Sequence, residues 1–427
     1  MSAFSVAAFE DVSQPTSARA DSYRLSRSDM TVVRTSVAGN RKIDTVLPVT
    51  LDLLQTDPHS AFDAAWLRSS KRSGDLANGE EFRLVDLFSG CGAMSLGVED
   101  ACRAVGLTPR PIFAVDTDVR ALAVYKHNFP TAEISSASVT DLFDGEVGTA
   151  ATASEQSLRE QLGPVDMLVG GPPCQGHSDL NNHTRRADPK NRLYLTMARF
   201  AEIVRPRGIV IENVPAVVHD KDGVVARTAS VLERLGYVVR TMILQAEQFG
   251  VAQARRRFFL VAVLNREPDL AMMDALKVPA PRPLSFAISD LFGSKSHRTF
   301  GRSSRHSATN QSRMQFLLER GLYDLPDDRR PDCHRLKPHS YVSVYGRMHW
   351  DRPAQTITTG FGSTGQGRFM HPLEARTLTP HEAARVQFIP DFFEFPEDRR
   401  GALQHMIGNA VPPKLSYAVT RALLGSL

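Results

Sequence analysis

The chain has 427 residues, enough for two or three domains and a large buried core, which excludes a peptide-sized module. Hydrophobic residues make up 42% and charged residues 23%, close to globular averages, so wholesale disorder is excluded as well. With 51 basic against 47 acidic side chains the formal net charge is +4, a mild excess that permits a polyanionic partner without demanding one.

Residues 1–80 are rich in Ser, Ala, Thr and Asp, with apolar patches only near 46–54 and 61–67. They read as a partly disordered N-terminal extension holding one or two short helices. The first residues carry no basic stretch, and Glu10 interrupts them before an apolar run long enough for a signal peptide forms. No apolar run approaches the roughly 18 residues that span a bilayer. The expectation is a soluble, cytoplasmic protein with no membrane partner. Cys91, Cys102, Cys174 and Cys333 lie far apart, which suggests neither a disulfide framework nor a zinc ribbon, and no metal site is expected.

From Phe82 short β-branched runs alternate with helical stretches, the pattern of βαβ units and a parallel sheet. Strands are predicted over 83–88, 111–115, 167–170, 208–212, 237–244 and 258–264, and helices over 93–105, 119–128, 193–204 and 224–235. About a dozen residues separate the last two strands, too few for a crossover, so that pair is predicted to be antiparallel at one edge. The alternation stops near Arg266. Residues 282–375 hold 14 Lys or Arg against 8 Asp or Glu, an excess of six, which points to a second, basic, loop-rich domain. Helical patterns return at 380–387 and 414–424.

Four segments carry the chemistry. DLFSGCGAMSLG, residues 86–97, runs a strand into a glycine turn and a helix. Gly90 and Gly92 clear space for a ligand at the helix N-terminus, and Asp116 ends the next strand, where an acid commonly holds ribose hydroxyls. An ordinary tight turn is the alternative. LVGGPPCQGHS, residues 168–178, sets Cys174 after two prolines at a strand's carboxyl end, where ligands of open α/β sheets bind. A nucleophilic thiolate there needs nearby positive charge; an inert buried thiol is the alternative. GIVIENVP brings Glu212 and Asn213 to the same edge, and a glutamate ending an apolar strand is expensive to bury without a partner or a task. QARRRFFLVAV places Gln253, Arg255 and Arg257 on alternate positions, as a cationic wall or a solvated basic edge.

In this order PPCQ, ENV and QxRxR, joined by RTLTPHEAARVQFIPD (376–391) and GNAVPP (408–413), resemble the DNA (cytosine-5) methyltransferases of bacterial type. The resemblance covers residues 84–422. It implies an α/β fold: a Rossmann-like methyltransferase sheet with an antiparallel edge strand, plus a small irregular target-recognition domain. The implied organisation is an extension over 1–80, a catalytic and cofactor-binding domain over 81–265, recognition over 266–375, and a segment over 376–427 returning to the catalytic domain.

The implied activity is transfer of a methyl group from S-adenosylmethionine to carbon 5 of a flipped cytosine in a specific duplex sequence, through a covalent Cys174 adduct. Cys174, Glu212, Asn213, Arg255 and Arg257 are the implied catalytic residues. Phe88, Gly90, Gly92, Asp116, Ser138, Pro173, Leu193, Asn409, Ala410 and Val411 would bind the cofactor. Gln175, Ser178, Arg185, Arg186 and Gln253 would meet DNA. Two departures stand out: Ser138 occupies a place where the family usually has an aspartate, with Asp141 the nearest acid, and His177 replaces a usual phenylalanine. The expected partners are double-stranded DNA and a cognate restriction endonuclease, with the enzyme a monomer at the bacterial nucleoid. A transfer-RNA cytosine methyltransferase and a catalytically silent DNA-binding regulatory subunit stay open as alternatives.

Overall fold

The computed structural model describes residues 21–72, 74, 79–173, 193–220, 223–294, 296–335 and 343–427. The segment expected to be a partly disordered extension is folded over its described part. Strands β1 (Ser22–Ser26), β2 (Thr31–Ala38) and β3 (Arg41–Pro48) form an antiparallel sheet, and helix α1 (Pro58–Arg68) packs on it. The reason is local. Ala38 pairs with Arg41 across a two-residue Gly39-Asn40 loop, with Gly39 at φ 59°, and β-branched residues flank the turn.

The α/β core follows as β4 (Glu81–Leu87), α2 (Ala93–Ala104), β5 (Thr108–Val115), α3 (Val119–Asn128), β6 (Glu133–Ser135), α4 (Val139–Leu142), α5 (Ala153–Leu162), β7 (Met167–Gly170), α6 (Leu193–Val204), β8 (Gly208–Asn213), α7 (Val224–Arg234), β9 (Tyr237–Gln245), β10 (Gln253–Ala254) and β11 (Arg256–Leu264). Seven of these strands make one sheet in the order β6-β5-β4-β7-β8-β11-β9. β7 and β8 are buried at every position, as interior strands covered on both faces must be.

β11 runs antiparallel to both β8 and β9. The antiparallel strand is therefore one place in from the edge, and β9 is outermost. The short connection after β9 folds the chain straight back into the position between β8 and β9. β6, α4, α5 and β10 are additional to the predicted elements of this core.

Beyond the core come α8 (Leu270–Ala275), α9 (Leu284–Ile288), α10 (Ala308–Glu319), α11 (Asp332–Arg335), β12 (Ala354–Gln355), α12 (Pro380–Val386), α13 (Arg400–Asn409) and α14 (Pro413–Leu424). The region assigned to recognition, 266–375, divides in two. Met272, Met273, Leu276, Leu284, Ala287 and Ile288 belong to the main core, whereas Met314, Leu317, Leu325 and Met370 form a small core of their own. α14 packs along α2, so closely that a Cβ on Gly97 would collide with the Pro413 carbonyl.

Charged side chains bolt the N-terminal sheet to this frame. Arg34 of β2 makes two 2.9 Å bonds to the Asp100 carboxylate of α2, and Arg72 lies 2.6 Å from Glu99. Asp63 of α1, only 1% exposed, accepts from Lys414 at 2.6 Å and from Arg282. Asp21 accepts from Tyr417 and from Arg421.

Candidate active site

The strand directions collect the polar residues at one rim. β4, β5, β7 and β8 are parallel, so the residues at their carboxyl ends, Asp86, Asp116, Gly171 and Glu212, reach the same edge. β11 runs the other way, so its first residues, not its last, arrive there.

A cavity of about 550 Å³ occupies that edge, within the range of roughly 300–1,000 Å³ typical of small-molecule sites. Its floor is the turn after β4, with Phe88, Ser89, Gly90 and Cys91. One wall holds Asp116, Asp118 and Ser138; the other holds His405, Met406, Asn409, Ala410 and Val411. Pro172, Pro173, Leu193, Glu212, Asn213, Arg255 and Arg257 close the remaining side. Of the residues assigned to the cofactor, all but Gly92 line this one cavity. Gly92 instead shapes the turn: it stands at φ 94°, and a Cβ there would lie 2.6 Å from Phe129 and 2.8 Å from Tyr125. A Cβ on Gly90 would meet no protein atom within 4 Å, so that position faces the cavity's open space. Phe88 itself has φ 60°, a conformation uncommon outside glycine and often held at functional sites.

Asp116 anchors the turn, one oxygen accepting the Gly90 N–H and the other the Asp118 N–H, both at 2.8 Å. Below it Asp86 is fully buried, accepts from Ser95 Oγ at 2.6 Å, and is pushed up to about 7 by burial, with the Asp116 charge adding to the effect. Cys91 also lines the cavity, but burial pushes its thiol up to about 12, so it supplies no thiolate near neutrality.

Glu212 and Arg257 form the ion pair of the site, Nε to Oε1 at 2.7 Å. Burial raises the Glu212 carboxyl above its ordinary range, and Arg257 and Arg255 offset only part of that. Arg255 is buried and donates to the Ile357 carbonyl at 2.8 Å, which joins the start of β11 to the chain following β12. Asn213 donates to the Pro172 carbonyl at 3.2 Å and accepts from the Val214 N–H at 2.8 Å. Its amide thereby fixes the backbone two residues before Cys174.

Gln253 does not share this wall. β10 is a separate two-residue strand paired with β12, and Gln253 is wholly buried. Its amide donates to Gln387 Oε1 at 2.8 Å and accepts from the Ile357 N–H at 2.8 Å. Reading Gln253 as a DNA contact is corrected accordingly: its donors and acceptor are spent inside the protein. Cys174, Gln175, His177, Ser178, Arg185 and Arg186 lie outside the described residues. Ser138 caps α4, accepting from the Thr140 N–H at 3.3 Å, and lines the cavity, whereas Asp141 does not. Sequence reasoning missed Asp86, Asp118 and His405. For Asp86 a signal existed, a carboxylate set between the apolar Val85 and Leu87.

The profile of the family described as C-5 cytosine-specific DNA methylase matches residues 82–425. The chain belongs to that family. As a C-5 cytosine-specific DNA methylase it is 47% identical over 388 residues to the type II methyltransferase M1.BsuMI of Bacillus subtilis, covering 90% of each chain. To the type II methyltransferase M1.HphI of Haemophilus parahaemolyticus it is 30% identical, over 80% of this chain and 86% of the other. Among solved structures, the Entamoeba histolytica methyltransferase EhMeth superposes with a TM-score of 0.52 at 17% identity, over 81% of this chain and 98% of that one. At that identity the likeness shows the fold alone. The methylase is a DNA cytosine-5 methyltransferase by this membership, and among its described residues no helix is long and apolar enough to cross a membrane.

Proposed function

We propose that the enzyme methylates carbon 5 of a cytosine flipped out of a specific duplex sequence, through a transient Cys174 adduct, with S-adenosylmethionine as donor. The observation that carries this reading is the sharing of one cavity by the glycine turn and the Glu212–Arg257 pair, beside the Pro172-Pro173 approach to Cys174.

The residues fit such a donor. Gly90 leaves open space where a side chain would intrude, and Asp116, with both oxygens oriented by backbone N–H groups, keeps lone pairs for ribose hydroxyls. Phe88 offers an aromatic face, Ser138 a hydroxyl in place of the usual aspartate, and Pro173, Leu193, Asn409, Ala410 and Val411 the rest of the enclosure. When bound, S-adenosylmethionine supplies the electrophilic methyl group.

The protein's own groups do the remainder. A base stacked inside a duplex exposes no ring face to a thiol, hence the flip. The Cys174 thiolate adds to carbon 6, the S–C bond forming as an electron pair moves to carbon 5. Glu212, protonated more readily than an ordinary carboxyl, donates to ring nitrogen 3 and removes the charge this creates. Arg257 and Arg255 hold positive charge beside the ring oxygen and the thiol. After methylation a base, such as water, takes the carbon 5 proton, the electron pair of that bond re-forms the ring double bond and expels the thiolate, and ring nitrogen 3 gives its proton back to Glu212. Gln175, Ser178, Arg185 and Arg186 contact the DNA in this reading, and the basic recognition segment positions it. Its likeness to type II methyltransferases supports a cognate restriction endonuclease as the second partner.

Tritiated S-adenosylmethionine with genomic DNA should label the DNA, and Cys174→Ser should abolish the label. Label that survives Cys174→Ser overturns the adduct mechanism.

A further inference from the structure

Most half-buried arginines here meet an acceptor; Arg347 does not. Its backbone is held tightly. The Arg347 N–H donates to the Tyr323 carbonyl at 2.8 Å, and Arg368 donates to the carbonyls of both Tyr323 and Arg347, at 2.8 and 3.0 Å. Its side chain is treated differently. The guanidinium lies over the Tyr323 ring, 4.4 Å from the centroid, and Tyr323 stacks on His349 at 3.9 Å with 16° between planes. Nε is buried in this stack without a hydrogen-bond partner, and no carboxylate or carbonyl among the described residues meets the guanidinium. His349 adds no charge near neutrality, since burial and the neighbouring Arg352 and Arg368 lower its pKa.

The stack therefore holds a planar donor fork in one orientation, with no acceptor among the described residues to satisfy it. Stacking removes the rotamer entropy that an arginine would otherwise lose on binding. The platform stands in the basic segment, and it is tied to the catalytic rim. Tyr345, two residues before, donates its N–H to Thr364 in the glycine-rich loop 360–367, and at the base of that loop Thr358 and Thr359 press on Gly408, beside the cavity wall.

We propose that Arg347 is a specificity-determining residue that reads a guanine of the target sequence through its O6 and N7 edge, with Tyr323 and His349 as its positioning platform. This rests on the proposed function and extends it from chemistry to sequence choice. A fixed planar fork suits the paired acceptors of guanine in the major groove, whereas a phosphate is met as well by a mobile charge.

Bisulfite sequencing of genomic DNA methylated by the wild type, Arg347→Ala, Arg347→Lys and Tyr323→Ala provides the test, with S-adenosylmethionine binding measured without DNA in parallel. The wild type should methylate one motif. Arg347→Ala and Arg347→Lys should both relax a single guanine position, with discrimination there falling about five- to a hundredfold, while cofactor binding stays within twofold. Tyr323→Ala should relax the same position by less. An Arg347→Ala enzyme that keeps the motif intact overturns the assignment. So does one that weakens on all DNA alike with a shallower salt dependence, as loss of a phosphate contact would give. A wild type that leaves DNA unmethylated sinks the proposed function itself, and this assignment with it.

Discussion

Arg257 Nε stands 2.7 Å from Glu212 Oε1 across adjacent antiparallel strands, in register through the Phe259–Glu212 pair. The pair sets a pH limb. Burial raises Glu212, Arg257 and Arg255 lower it, and burial prevails. A carboxyl that must donate a proton works while protonated, so the loss of activity attributable to Glu212 lies on its alkaline side. Removing the guanidinium in Arg257→Ala withdraws support for the ionised form, and that limb should move to higher pH as kcat falls. Glu212→Gln should lower kcat about 10²- to 10⁴-fold with cofactor affinity unchanged. The pH dependence of single-turnover rates reads both.

Asp86 should leave a mark on stability. Its folded pKa of about 7 stands above the unfolded value near 4, so between those values the folded state holds a proton the unfolded state has lost. Stability should fall as pH rises through that window, by up to roughly 4 kcal/mol, and level off above it. Asp86→Asn keeps an acceptor for Ser95 and should flatten the curve. Urea unfolding from pH 4.5 to 8 checks this, and a pH-independent wild type would contradict it.

Gly92→Ala should cost at least about tenfold in S-adenosylhomocysteine affinity by calorimetry. The left-handed conformation alone costs a non-glycine residue roughly 1–2 kcal/mol, and the new methyl would press on Phe129 and Tyr125.

Asp63→Asn should destabilise the whole enzyme by about 3–5 kcal/mol in chemical unfolding, because Arg282 and Lys414 would be left buried without their counter-ion. Replacing both Arg282 and Lys414 by Met beside Asp63→Leu should recover much of the loss.

The core strands were legible because uninterrupted apolar runs such as MLVG and the GIVI of β8 announce buried parallel strands, and the helix over Val119–Asn128 because Asp118 caps it. The N-terminal sheet was harder to see. Its strands mix Thr, Ser and Arg with Val, and only the Gly39-Asn40 turn betrays the hairpin. Gln253 misled for a different reason: alternation along a strand predicts a shared face, but the strand breaks at Arg255, and Gln253 turns toward Gln387. Asp86 was passed over as part of a turn motif, since burial of a single carboxyl depends on what packs above it.

Family membership begins at residue 82, yet the molecule does not divide there. Cutting at that boundary would strand Lys414, Arg282, Arg421 and Asp100, whose opposite charges sit on residues 21 to 63. The family-matched portion is thus not a portable unit: grafted onto another protein it would carry orphaned ions against the very helices, α2 and α14, that brace its ligand chamber.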